Sequence, residues 1–81
     1  MPATTYTAAE IANALAAGRT VTAEASDLER KGQPRRGARV TVTALIGDYG
    51  ERVSVHAAGY RGAFKARAVE IDGVPAGADA D

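Results

Sequence analysis

The sequence predicts an α+β fold, with one N-terminal helix leading into an antiparallel β-hairpin or meander. Three observations carry this. "TAAE" at Thr7–Glu10 has the form of a capping box, followed by apolar residues at helical spacing. "RVTVTALIG" from Arg39 to Gly47 alternates apolar and polar residues, the period of a half-buried strand. "ERVSVHA" from Glu51 to Ala57 repeats that alternation after a glycine-bounded turn. At 81 residues the chain has room for one modest core and not for two.

Residues 1–6 read as a leading arm, 7–72 as the domain, and 73–81 as a flexible acidic tail with little to bury. In the first helix Thr7 caps a free backbone N–H and Glu10 reaches back, while Ala8, Ile11, Ala12 and Leu15 share a face. Gly18 can end the helix in a left-handed conformation. In the hairpin, Val40, Val42, Ala44 and Ile46 point one way and Arg39, Thr41 and Thr43 the other. "GDYG" at Gly47–Gly50 is the expected turn, and Val53, Val55 and Ala57 return inward. "AFKARAVEI" is a third strand whose apolar phase slips between Ala68 and Val69, the mark of a bulge or a change of partner. The expected core sets Val40, Val42, Ile46, Val53 and Val55 against Ile11, Leu15 and Leu28.

The stretch "RTVTAEASDLERKGQPRRG", residues 19–37, admits two readings. As a helix over 20–31 it aligns Val21, Ala25 and Leu28 on one stripe, with Gly32 as its stop. As a strand, Val21, Ala23 and Ala25 alternate with Thr20, Thr22 and Glu24, and a long charged loop comes next. Local propensity does not choose between them. The strand reading gives four strands at 20–25, 38–46, 51–57 and 63–71 in meander order, a small SH3-like or KOW-like β-barrel with one N-terminal helix.

Formal charge is zero, yet Arg30, Lys31, Arg35, Arg36 and Arg39 fall within ten residues, with Glu29 the one acid beside them. Such a run attracts phosphate even where the total cancels. A second patch, "GYRGAFKAR", interleaves Tyr60 and Phe64 with Arg61, Lys65 and Arg67, a pattern able to stack unpaired bases. Catalysis finds no footing. His56 is the one imidazole and falls on the outward phase of its strand, and Asp48 and Tyr49 occupy a turn. There is no phosphate loop, dinucleotide fingerprint or metal-ligand spacing, so no cofactor is expected. Cysteine is absent, which removes disulfides and thiolate metal sites. No apolar run approaches the roughly 18 residues of a membrane helix, and no signal peptide is visible, so a cytoplasmic protein without a membrane partner is expected.

"TAAEIANAL", then "TVTAEASDLERKG", then "RR" resemble the helix-turn-helix and wing of winged-helix regulators, closest in style to the MarR-like group. Glu10, Ile11, Ala12 and Leu15 match the first part of the pattern, and Thr20, Val21, Thr22, Leu28, Glu29 and Gly32 the second, over residues 7–36. The chain departs from it where Gln33 and Pro34 replace two apolar residues before the wing. The resemblance implies a small non-enzymatic DNA-binding regulatory module, with helix 20–31 in the major groove of duplex DNA. Thr22, Ala23 and Ser26 would then approach base edges, and Arg30, Lys31, Arg35, Arg36 and Arg39 would hold phosphates. So small a module is expected to act as a homodimer or with a protein partner. The alternative is a structural or adaptor protein on a small β-barrel, such as a phage-particle component or a protein–protein interaction module.

Overall fold

The computed structural model describes residues 5–27 and 31–76. It has one helix, α1 (Ala8–Ala16), and five strands: β1 (Val21–Ala25), β2 (Arg39–Tyr49), β3 (Arg52–Ala57), β4 (Phe64–Ile71) and β5 (Val74–Pro75). All pairings are antiparallel and the strands lie in meander order, as the α+β reading requires. β1 also pairs with β4, through Val21↔Ile71 to Ala25↔Ala66, so the first four strands close on themselves.

Helix α1 starts and stops where local chemistry dictates. Thr7 Oγ1 accepts from the Glu10 amide at 3.1 Å, and Glu10 Oε1 accepts from the Thr7 amide at 2.9 Å, which completes the capping box. At the other end the Arg19 amide donates to Ala14 O and the Gly18 amide to Leu15 O, with Gly18 at φ +75°. That pair of bonds is the Schellman arrangement, which glycine reaches without a Cβ clash. Ile11 and Ala14 are the buried residues of the helix, with Leu15 packed beside them; Ala12, expected on the same face, is exposed.

Residues 21–25 form a strand, not the first half of a 20–31 helix. The deciding force is tertiary. As β1 this stretch is hydrogen-bonded on both sides, to β2 and to β4, and buries Val21, Ala23 and Ala25 together. A helix would leave both neighbouring strands with unpaired backbone groups, each costly to bury. Leu28, Glu29 and Arg30 lie outside the described residues, and with them Leu28's expected core position and Arg30's expected phosphate contact.

The core gathers Ile11, Val21, Val40, Val42, Val53, Val55, Phe64 and Ile71, together with the small Ala14, Ala23, Ala25, Ala57 and Ala66. Ile46 departs from expectation and is 53% exposed. The register of β2 on β3 shifts twice, between Val42 and Ala44 and between Leu45 and Gly47, leaving one extra residue on β2 each time. The bulges bend the long strand and break its alternation, so Leu45, paired with Val55, packs against the core while Ile46 turns out. β2 also runs through Tyr49 to pair with Arg52, which moves the turn from Gly47–Gly50 to Gly50–Glu51.

The phase slip in β4 is a bulge at which the strand also changes partner. Thr22 faces Glu70 and Glu24 faces Arg67, so β4 spends one more residue than β1 across this interval. Ala68 takes φ +52° there. Before the bulge β4 is flanked by β3, and beyond it by β5. The Asp72–Gly73 turn into β5 has φ +54° and +81°, the two positive values a two-residue type I′ hairpin needs. The expected domain end at residue 72 therefore falls inside a hairpin, whose Val74 carbonyl accepts from Tyr6 Oη at 2.7 Å; residues 77–81 lie outside the described residues.

Candidate nucleic-acid interface

The β1–β2 loop and the β3–β4 loop are far apart in sequence but joined in space. The Arg61 amide donates to Gly32 O at 3.0 Å, and Gln33 Nε2 donates to Ala63 O at 3.2 Å. The stem of the first loop is held by Ser26 N to Lys65 O, Gly37 N to Ala25 O at 2.7 Å, and Ala25 N to Ala38 O. Pro34 is buried and anchors the middle of the loop, while Lys31, Arg35 and Arg36 stay exposed. These bonds bring the loop of the first basic run against the loop that carries Tyr60 and Arg61.

Charge pairing divides the cations into two groups. Arg19 with Asp72, Arg39 with Glu70 and Arg67 with Glu24 make ion pairs at 2.8, 3.1 and 3.3 Å. Arg39 Nη2 also donates to Ala68 O at 2.7 Å, so the guanidinium expected to hold phosphate instead fastens the β4 bulge. Among the described residues, Lys31, Arg35, Arg36, Arg52 and Arg61 make no ion pair. Lys65 lies over the Tyr49 ring, 5.1 Å from its centroid.

The residues expected to read bases are placed otherwise. Ala23 is wholly buried, Ser26 is 8% exposed, and Thr22 is half-buried within β1. Thr22 and Ala23 within β1, and Ser26 just after it, are not presented as a recognition helix would present them. Phe64 is core, and Tyr60, 40% exposed, meets its ring edge-to-face at 6.3 Å, so of this pair only Tyr60 offers a ring to solvent. Arg52 comes beside Arg36 from the β2–β3 hairpin. Its position depends on a two-residue turn at Gly50–Glu51, and its place in "YGERV" gives no hint of that neighbourhood.

A hollow of about 210 Å³ lies beside the loop stem, lined by Ser26, Arg36, Glu51, Arg52 and Arg67. A wider groove of about 690 Å³ runs between α1 and the β4–β5 hairpin, past Tyr6, Asn13, Arg19, Ile71 and Val74. Asp72 accepts from Arg19 Nε at 2.8 Å and from the Thr20 amide at 3.1 Å. Those bonds, the Arg19 one foremost, hold the Asp72 carboxyl below its ordinary range. No set of three or more His, Cys, Asp or Glu able to hold a metal occurs among the described residues, and none of their helices is long and apolar enough to cross a membrane. No protein-family model, curated protein or solved structure matches the chain.

Proposed function

We propose that the chain is a non-enzymatic nucleic-acid-binding module that grips phosphates with its loop face, without a recognition helix. The supporting observation is that Lys31, Arg35, Arg36 and Arg61, none ion-paired among the described residues, lie on two loops that hydrogen bonds tie together, with Arg52, also without an ion pair, beside Arg36 in the hollow at the loop stem. Cations without a carboxylate partner are available to neutralise phosphates and release their condensed counterions. Tyr60 beside Arg61 adds a ring on which an unpaired base can stack. Sequence is then read weakly, since phosphate contacts set register and carry no base information.

Fluorescence anisotropy on a duplex and on one of its strands, at several salt concentrations, tests this. If five cations each neutralise a phosphate, log K should fall with log salt at a slope of about −4 to −5 on duplex and about −3.5 on single strands. Replacing Arg35 and Arg61 with Ala should flatten the slope by about two units on duplex. Absence of binding to either substrate at low salt would reject the reading. The second reading, a structural or adaptor protein, is favoured by one feature: Ile46 and Tyr49 are 53% and 63% exposed on the β2–β3 hairpin. It requires self-association or protein binding that Ile46→Asp abolishes.

A further inference from the structure

The hollow beside the loop stem is lined by arginines from three separate elements. Arg36 comes from the β1–β2 loop, Arg52 from the start of β3 and Arg67 from the middle of β4. One step beyond the Val53↔Ala66 pair, Arg52 and Arg67 come opposite each other on adjacent strands. Like charges so placed repel and cost stability. Glu24 offsets part of this through its 3.3 Å contact with Arg67, and Glu51 is the one carboxylate in the lining. Three arginines against Glu51 in the lining and Glu24 on Arg67 leave an excess of one positive charge around the hollow. Ser26, also in the lining, is 8% exposed, and among the described residues its buried Oγ has no hydrogen-bond partner. An unpartnered buried hydroxyl carries a desolvation penalty that a ligand oxygen can remove.

We propose that Arg36, Arg52 and Arg67, over Ser26, form a seat for a single phosphate group. Guanidinium is suited to it because its planar fork donates two parallel bonds to an oxyanion, and a ring of such forks matches a tetrahedral, multiply charged group. The seat deepens the nucleic-acid reading by giving one phosphate a defined place, but it does not depend on that reading. Free phosphate and a phosphate of a nucleic acid share the required chemistry.

Two-dimensional 1H–15N spectra of the full chain, including the arginine side-chain resonances, separate these cases. Inorganic phosphate, titrated at constant ionic strength against chloride, should give saturable shifts at Ser26 and at the Arg36, Arg52 and Arg67 Nε–H groups. Arg36→Gln and Arg52→Gln should each weaken binding about tenfold or more, the equivalent of one charge-assisted hydrogen bond. Ser26→Ala should weaken it about fivefold while leaving the urea midpoint unchanged or raised, because it removes an unpartnered hydroxyl. Arg19→Gln, beside the α1 groove and outside the hollow, should leave phosphate binding as it was. Linear, unsaturating shifts, or phosphate affinity indifferent to both Arg36→Gln and Arg52→Gln, would overturn the seat. Retained affinity in Ser26→Ala would also count against it. A 5′-phosphorylated oligonucleotide binding more tightly than its 5′-hydroxyl twin assigns the seat to a terminal phosphate, and equal binding assigns it to the backbone. Phosphate binding without oligonucleotide binding leaves the seat standing and rejects the nucleic-acid reading; the reverse outcome rejects the seat alone.

Discussion

Replacing Ala68 with glycine should stabilise the fold. Ala68 sits at φ +52° in the β4 bulge, where a Cβ crowds the following carbonyl at a cost of about 1–2 kcal/mol. Its side chain is exposed, so removing the methyl group sacrifices no core contact. Its carbonyl keeps the 2.7 Å bond from Arg39 Nη2, which depends on backbone geometry alone. Against this, glycine adds about 0.5–1 kcal/mol of unfolded-state entropy. The balance is a gain of about 0.5–1 kcal/mol, or about 3–6 °C in Tm for a domain of this size. Urea denaturation followed by circular dichroism is the assay. The midpoint should rise with an unchanged m-value, because the surface exposed on unfolding is the same. Ala68→Val should lose at least about 1 kcal/mol, since a β-branched residue tolerates positive φ poorly. A lower midpoint for Ala68→Gly, or an unaffected Ala68→Val, would show that the bulge does not lie at this residue.

Thr7→Ala should cost about 1 kcal/mol through loss of the cap bond to the Glu10 amide, seen as a Tm lowered by about 4–8 °C; no change would mean that α1 is not held at its N-terminus. Phe64→Ala, at a site 2% exposed, should remove about 3–5 kcal/mol, a large part of the stability of a single small domain, so thermal unfolding should begin near room temperature. Phe64→Leu should remain folded. Because Asp72's carboxyl is depressed in the folded state, its contribution to stability is complete above the ordinary carboxylate range and fades as pH falls through the lower folded-state value. Urea midpoints of the parent and Asp72→Asn should therefore differ at pH 7 and converge in acid; a gap that persists at low pH would exclude the Arg19 pairing as its cause.

Much of the fold is legible in the sequence because its signals are local. The Thr7–Glu10 box and Gly18 mark α1 with no help from the rest of the chain. The bulge at Ala68 announces itself through the lost alternation of "ARAVEI", although its geometry and its change of partner do not. "IDGV" carries a type I′ hairpin signal in its Asp72–Gly73 pair, outweighed by the low apolar content of residues 73–81. "TVTAEA" satisfies both helix and strand patterns, and its fate rests on pairing with β2 and β4, which no local window contains. Ile46 escapes its pattern for a related reason: the bulge between Val42 and Ala44 shifts the phase of β2 ahead of it, and alternation alone does not reveal that. For the candidate site, the basic residues are visible as two separate runs. Their union through Gly32 and Arg61, the diversion of Arg39 to Glu70 and Ala68, and the arrival of Arg52 all depend on tertiary contacts.

The most direct measurement is a 1H–15N chemical-shift map of the full chain titrated with a short oligonucleotide at low salt. Shifts should concentrate at residues 31–37, at Arg52 and at residues 60–65, and should fade as salt is raised, while α1 stays unmoved. A map centred on α1 and the groove beside it, or no shifts at saturating oligonucleotide, would contradict the assignment of nucleic-acid binding to the loop face.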